Sequence, residues 1–185
     1  MQQHESDLIR IRKLRLLDDS FMTKVFEDDI ASTQVMLRII LGRDDIEVLQ
    51  VKTQATVKSL EGRSVRLDIL ANGPEGVFNV EVQRADRENE RKRARYHSAV
   101  LDAALLKPGM DFNQLPESYI IFITEDDILH NKRLYTHFTR KSDDGELFQD
   151  GTHIIFVNAS ARDHSPLGIL MQDFTESNPD AMQIP

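Results

Sequence analysis

The sequence lacks cysteine altogether. This absence excludes disulfide scaffolds, thiolate zinc sites, iron–sulfur clusters and cysteine nucleophiles. Long hydrophobic runs are also missing, since none approaches the roughly 18 residues that span a bilayer. The N-terminus mixes charged and apolar residues and has no uninterrupted apolar segment of the kind found in secretory signals. We therefore expect a cytoplasmic protein that does not cross a membrane.

Basic residues are outnumbered, with 23 Lys and Arg against 31 Asp and Glu and a formal net charge of -8. Proteins that coat nucleic acid by bulk attraction are usually strongly basic, so any nucleic-acid binding by this chain would have to be local. One window is an exception: residues 84–95 (RADRENERKRAR) hold six basic positions against three acidic ones. The six histidines are scattered without an H-x-x-x-H spacing, which disfavours a zinc site.

With 185 residues, 40% of them hydrophobic and 29% charged, the chain has the size and composition of one globular domain, which we place at residues 1–185. Apolar spacing predicts two short helices, the second ending at Gly42 with capping acids before it at residues 27–29. A β-rich stretch at 46–57 and alternating stretches at 65–71 and 77–83 follow, the last two separated by turn residues. They predict a three-stranded meander.

The second half of the chain adds a long helix and further strands. Asp86 to about Lys107 is predicted to be helical, and Ser118–Thr124 (SYIIFIT) is typical of a strand buried on both faces. Segments 134–141 and 153–157, around a turn at 142–145, add one or two edge strands, and a last helix covers about 166–174. The order predicts an α/β (α+β) fold, a mixed central sheet flanked by helices.

Alternation along the predicted hairpin places polar side chains on one face. Asp68 points away from the apolar set of the first strand, and Glu81 points away from that of the second. If the hairpin turns about the midpoint of Pro74 and Glu75, opposed residue numbers sum to 149. The resulting pairs are Asp68 with Glu81, Arg66 with Gln83, and Leu70 with Asn79.

Two directly opposed carboxylates destabilise a sheet, because their Cβ atoms lie only about 4.5–5.5 Å apart. A divalent cation such as Mg²⁺ would compensate, since it binds through one or two carboxylates together with waters and substrate phosphate. The alternative is a different register, or neutralisation of the pair by Arg66 on an exposed sheet face. The residues alone leave both interpretations open.

Asp68 and the Glu81-Val82-Gln83 tripeptide, on consecutive predicted strands before a long helix with Arg93-Ala94-Arg95-Tyr96, resemble the PD-(D/E)XK nuclease family transposases, the recombination-promoting nuclease group. Flanking segments make the resemblance more specific than the D, E-x-Q signature, and together they cover most of the chain. They are DDSFMTKVFEDD at 18–29, GRSVRLDILA at 62–71, RARYHSAVLDAALLKPG at 93–109, LPESYIIFI at 115–123 and DGTHIIFVN at 150–158.

The resemblance implies a restriction-endonuclease-like αβββαβ core and metal-dependent hydrolysis of DNA phosphodiesters. It implies Mg²⁺, with Mn²⁺ able to substitute, held by Asp68, Glu81 and the backbone carbonyl of Val82. Gln83 is the third catalytic position, where a lysine usually stands in the wider superfamily; an amide can orient water or a phosphate oxygen but supplies no charge. Asp19 matches an acidic residue of the first helix and could reach the metal through a water, or it could simply cap that helix.

The same resemblance implies that Arg93, Arg95 and Tyr96 contact DNA phosphates. The alternative is a solvated helix face whose arginines pair with Glu88 and Glu90. A family glutamine matches Gln54, to which we assign no role. The resemblance also predicts a C-terminus that is truncated after residues 176–185, because many relatives continue with a further charged, helical region.

Two functions therefore remain open. The first is a Mg²⁺-dependent DNA endonuclease of the transposase-associated type, which the joint presence of two carboxylates and Gln83 favours. The second is a catalytically weak or inactive nuclease-fold protein that binds DNA or a protein partner, which the acidic net charge favours. The expected partners are DNA and, as a candidate, a second copy of the chain in a homodimer.

Overall fold

A computed structural model of the protein describes residues 13–58, 62–84 and 90–184. The charged lead-in at 1–12 and the first residues of the helix predicted from Asp86 lie outside the described residues. The helices are α1 (Asp19–Phe26), α2 (Ile30–Leu41), α3 (Glu90–Leu105) and α4 (Pro166–Thr175). The strands are β1 (Gln50–Val57), β2 (Val65–Gly73), β3 (Gly76–Gln83), β4 (Ser118–Thr124), β5 (Tyr135–Phe138) and β6 (Thr152–Asn158).

The strands form one mixed six-stranded sheet in the order β1-β2-β3-β4-β6-β5. The first three strands make the predicted antiparallel meander, and β3, β4 and β6 run parallel to one another. The mixed α+β architecture predicted from the sequence is confirmed. One detail was wrong: β6 is internal, because it pairs with β4 on one side and antiparallel with the short β5 on the other.

Two apolar clusters cover the sheet. The larger contains Met22 and Phe26 of α1, Leu37 of α2 and Phe174 of α4, packed on the middle strands. The smaller cluster joins Ala94, Val100 and Leu101 of α3 to the opposite side of the sheet. As predicted, every residue of β4 is buried. No helix in the described part of the chain is both long and apolar enough to traverse a bilayer.

Local capping chemistry sets the ends of α2 as predicted. The Asp29 carboxylate accepts a hydrogen bond from the Ser32 backbone N–H, which satisfies one of the free donors of the first turn. Gly42 ends the helix in the left-handed conformation, with φ 62°, and its N–H donates to the Arg38 carbonyl. These contacts fix where α2 stops and where the chain turns toward β1.

The β2–β3 hairpin requires glycine at its tip. A Cβ on Gly73 would lie 1.8 Å from the Glu47 carbonyl oxygen, so the backbone would have to move. We expect Gly73→Ala to lower the free energy of unfolding by about 3 kcal/mol, the upper range for overpacking. Urea denaturation measures this effect. Gly42→Ala, which meets no atom within 4 Å and strains only its φ, should cost about 1 kcal/mol; equal losses in the two variants would contradict the steric argument.

Candidate active site

The β2–β3 ladder opens where the predicted carboxylates lie. Regular pairing runs from Gly73–Gly76 to Ile69–Val80, which confirms the register in which residue numbers sum to 149. Beyond Ile69 the predicted pairs of Asp68 with Glu81 and of Arg66 with Gln83 are absent from the ladder. Side chains replace main-chain pairing there, because the Asp68 N–H donates to Glu81 Oε1 at 3.2 Å and the Val82 N–H donates to Asp68 Oδ2 at 3.1 Å.

Pairing is also interrupted on the other side of Asp68. The β1–β2 ladder includes Thr53–Ile69 and Ala55–Leu67 but omits the residue between them, Gln54. Gln54 has a φ of 52°, in the left-handed region that non-glycine residues seldom adopt. Its amide donates to Asp19 Oδ1 and Thr23 Oγ1, each at 2.9 Å. Gln54, to which the sequence assigned no role, therefore ties α1 to the strand beside Asp68.

The Glu81 carboxylate is completely buried and is neutralised by a helix residue. Arg93 Nη2 donates to Glu81 Oε2 at 2.9 Å, and Arg93 Nη1 donates to Gln83 Oε1 at 2.6 Å. The guanidinium also lies over the ring of Phe122, 5.4 Å from its centroid. The interpretation in which Arg66 neutralises the pair on an exposed face is wrong, because α3 covers this face and supplies the counterion.

Asp68 is in a less favourable environment. Burial raises the pKa of its carboxyl to about 6, the nearby charge of Glu81 adds to the effect, and the hydrogen bond from the Val82 N–H opposes it. Its second oxygen, Oδ1, accepts no hydrogen bond from the residues that the structure describes. Arg93 therefore compensates the charge of Glu81, whereas the charge of Asp68 is only partly compensated.

Asp19 lies in the first turn of α1 with its carboxylate directed toward the site. The N-cap of this helix is Asp18, so the interpretation of Asp19 as the cap is wrong. Besides Gln54, the Asp19 carboxylate faces Arg66, at 3.9 Å, where both side chains are more than 60% exposed. Such a pair contributes little to stability, so Asp19 can exchange partners.

A cleft of about 340 Å³ brings most of the predicted residues together. Its walls are Leu17, Asp19, Arg66, Asp68, Val82, Gln83, Arg84 and Arg93. Glu81 is not part of its wall and supports Asp68 from the buried side. Of the predicted DNA contacts, Tyr96 lies in a neighbouring cleft, whereas Arg95 is exposed and lines neither cleft.

Sequence reasoning missed His97. It lies one turn after Arg93 on α3, is buried, and places Nδ1 3.6 Å from Glu81 Oε1. Asn79, Glu81 and Gln83 alternate along β3 and face this helix. In the sequence, the i, i+4 spacing of the polar residues Arg93 and His97 on the helix after β3 was the signal that could have identified them. The same signal could have identified Arg93 as the partner of Glu81.

The donor set suits a hard divalent cation. Within the described ranges, no three or more His, Asp or Glu side chains group closely enough to hold a metal by themselves. Mg²⁺ does not need such a group, because it is usually bound through one or two carboxylates, with water and substrate supplying other oxygens. The unshared Oδ1 of Asp68 and the raised pKa of its carboxyl fit a site that a cation would stabilise.

A mixed sheet flanked by helices, with two carboxylates at the opening between consecutive strands, is consistent with a nuclease-like α+β fold. The family model described as PD-(D/E)XK nuclease family transposase matches residues 26–164, and the chain belongs to this family. Membership indicates a nuclease-type function and a DNA substrate. Nucleases of this family generally use divalent metals. No curated protein and no solved structure matches the chain.

The raised pKa of Asp68 predicts that its ionisation destabilises the metal-free fold. Because Asp68 binds its proton more tightly in the folded protein than in the unfolded chain, the free energy of unfolding falls as pH rises from about 4 to about 6. Asp68→Asn retains an acceptor for the Val82 N–H. We therefore expect it to raise the free energy of unfolding at pH 8 by roughly 1–3 kcal/mol, an advantage that shrinks at pH 4.

Urea denaturation in a metal chelator at pH 8 and pH 4 tests this expectation. Asp143→Asn, at an exposed turn, is the control and should leave stability nearly unchanged. A loss of stability in Asp68→Asn at pH 8 would contradict the argument.

The Glu81–Arg93 pair is expected to dominate stability near the site. Arg93→Met keeps the apolar stem but leaves a buried carboxylate without its cation, and such changes cost about 3–5 kcal/mol. In a Glu81→Gln background the same substitution should cost clearly less, which a double-mutant cycle measures. Arg95→Met, on the exposed side of the same helix, is the matched control. Equal losses from Arg93→Met in both backgrounds would show that the pair does not couple.

Proposed function

We propose that the protein is a Mg²⁺-dependent DNA endonuclease that hydrolyses phosphodiester bonds. One observation carries the proposal: the Asp68 carboxylate is held by the Val82 N–H at a break in both neighbouring ladders, beside the buried Glu81 and on the wall of an open cleft. A carboxylate held in this way is already positioned to act as a metal ligand. The family, which is one of nucleases, supports the same assignment.

Asp68, Glu81 and the Val82 carbonyl would hold the metal, and Asp19 would reach it through a water. The bound metal would supply polarisation of a phosphoryl oxygen and a lowered pKa for a coordinated water, and Mn²⁺ should serve as well. Glu81 has its charge balanced by Arg93 in the structure. That guanidinium would have to share the Glu81 carboxylate with the metal. The strength of the Arg93–Glu81 pair would therefore influence how tightly Glu81 binds the metal.

Gln83 stands at the position where the wider superfamily usually has lysine. Its side-chain oxygen accepts a hydrogen bond from Arg93 Nη1 at 2.6 Å, and the residue lies on the cleft wall. Gln83 would orient a water or a phosphate oxygen by hydrogen bonding, and the positive charge that lysine would supply comes here from Arg93 and Arg66. Arg93 would therefore act through Gln83 and Glu81 rather than as an independent phosphate contact.

A second candidate function is supported by the presence of glutamine instead of lysine at position 83. Without a lysine at position 83, the chain could be a catalytically weak or inactive nuclease-fold protein that binds DNA or a protein partner. For either candidate function, a cytoplasmic location, the formation of a homodimer and a single domain at residues 1–185 stay predictions. Cleavage assays separate the two candidates.

Plasmid nicking with Mg²⁺ or Mn²⁺ tests the nuclease proposal. We expect metal-dependent nicking by the unmodified protein and a loss of about 100-fold or more in Asp68→Asn and in Glu81→Gln, because each removes an anionic ligand. Asp143→Asn, purified in parallel, should cut normally. Equal nicking by all four proteins would indicate a contaminating nuclease, and no nicking by any would favour the binding protein.

A further inference from the structure

A second cleft, of about 710 Å³, adjoins the candidate active site. Its walls are Arg63, Ser64, Val65, Arg66, Glu90, Lys92, Arg93, Tyr96 and His97. Arg66 and Arg93 line this cleft and also the cleft that contains Asp68. The two clefts are therefore neighbours with Arg66 and Arg93 at their shared border, so a chain molecule lying along this surface can contact both.

The second cleft is positively charged on a protein whose net charge is -8. Four cationic side chains line it against one carboxylate, that of Glu90, which is buried beside Arg93. Arg63 and Lys92 are exposed, and within the described part of the chain neither forms an ion pair. Arg66 is 63% exposed, and its pair with Asp19 spans 3.9 Å. These three cations are available to a ligand.

Tyr96 gives the cleft a fixed shape. Its hydroxyl donates to the Arg63 carbonyl at 2.6 Å, which ties the chain entering β2 to α3. Lys92 lies one turn before Tyr96 on the same side of α3, so both flank Arg63 across the cleft. Arg91 is exposed but lines neither cleft. Both Arg91 and Lys92 belong to the basic window at residues 84–95, but only Lys92 lines the cleft.

We propose that Arg63, Arg66 and Lys92 form a phosphate-binding track that holds the DNA backbone adjoining the phosphate at Asp68. The inference rests on the proposed function, because it identifies how the substrate reaches that site. A row of separate, exposed cations suits successive backbone phosphates, whereas an enclosed small anion would be held by buried donors. Arg66, which lines both clefts, joins the track to the carboxylates. DNA binding by this track requires no metal.

The test measures binding separately from cleavage. In an Asp68→Asn background, fluorescence anisotropy with a labelled DNA duplex of about 20 base pairs, without metal and at several salt concentrations, compares two double variants. Arg63→Gln/Lys92→Gln removes two cations of the track. Arg91→Gln/Lys132→Gln removes the same two residue types at exposed positions outside both clefts. Thermal melting checks that all proteins fold.

We expect the track variant to bind at least tenfold more weakly at 150 mM salt and to reduce the slope of log affinity against log salt by about 2, since each lost phosphate contact removes about 0.9. The control variant should bind within about twofold of its parent. Equal weakening in both variants would show bulk attraction and overturn the track. The absence of measurable binding by the parent at any salt concentration would overturn it as well.

Failure of the nuclease proposal has a different signature. If the unmodified protein does not nick DNA but the track variant alone loses binding, the track stands and the protein is a DNA-binding relative of nucleases. If the protein nicks DNA and the track variant binds and nicks as the control does, the nuclease proposal stands and the track is overturned.

Discussion

The fully buried carboxylate of Glu81 is the constraint on which the site depends. An ionised carboxylate costs several kcal/mol to bury unless a cation and hydrogen-bond donors compensate it. Arg93 supplies the cation, so α3 must lie with that residue directly over β3. The Asp68 N–H supplies a donor, so β2 must leave its ladder with β3 at this point. Burial of one charge thus fixes both the helix position and the opening in the hairpin.

That opening places Asp68 where its own charge is poorly compensated. The main-chain donor of Val82 holds the carboxylate in position, but burial and Glu81 still raise its pKa to about 6. Folding alone would favour an apolar or amide side chain there, and proteins usually depart from such local rules at functional sites. A proton or a cation relieves the same cost, so the proposed metal would gain affinity from the poor compensation of the Asp68 charge. The strained backbone of Gln54 beside it fits the same pattern.

Local patterns predicted much of the fold because local physics determines it. Capping at Asp29 and Gly42 and the hairpin register follow from neighbouring residues, and all three agree with the structure. The place of β6 inside the sheet and the Arg93–Glu81 pair depend on segments that meet only after folding. Alternation alone placed Asp68 and Glu81 together, but it could not show that their side chains replace main-chain pairing. The cleft joining Arg63 to Tyr96 has no signal in the sequence either, because its contact spans 33 positions.

The acidic net charge is compatible with DNA binding because the cations of the two clefts are concentrated in one place. On a uniformly basic protein, DNA would bind over many surfaces and seldom with its backbone at the carboxylates. A net charge of -8 weakens such encounters, while in the proposed track the local field of Arg63, Arg66 and Lys92 would attract phosphate to the region that adjoins Asp68. In the proposed complex, the acidic surface would therefore contribute to the orientation of the DNA at the expense of overall affinity. Binding through the proposed track would still weaken as salt rises, because each phosphate contact releases counterions.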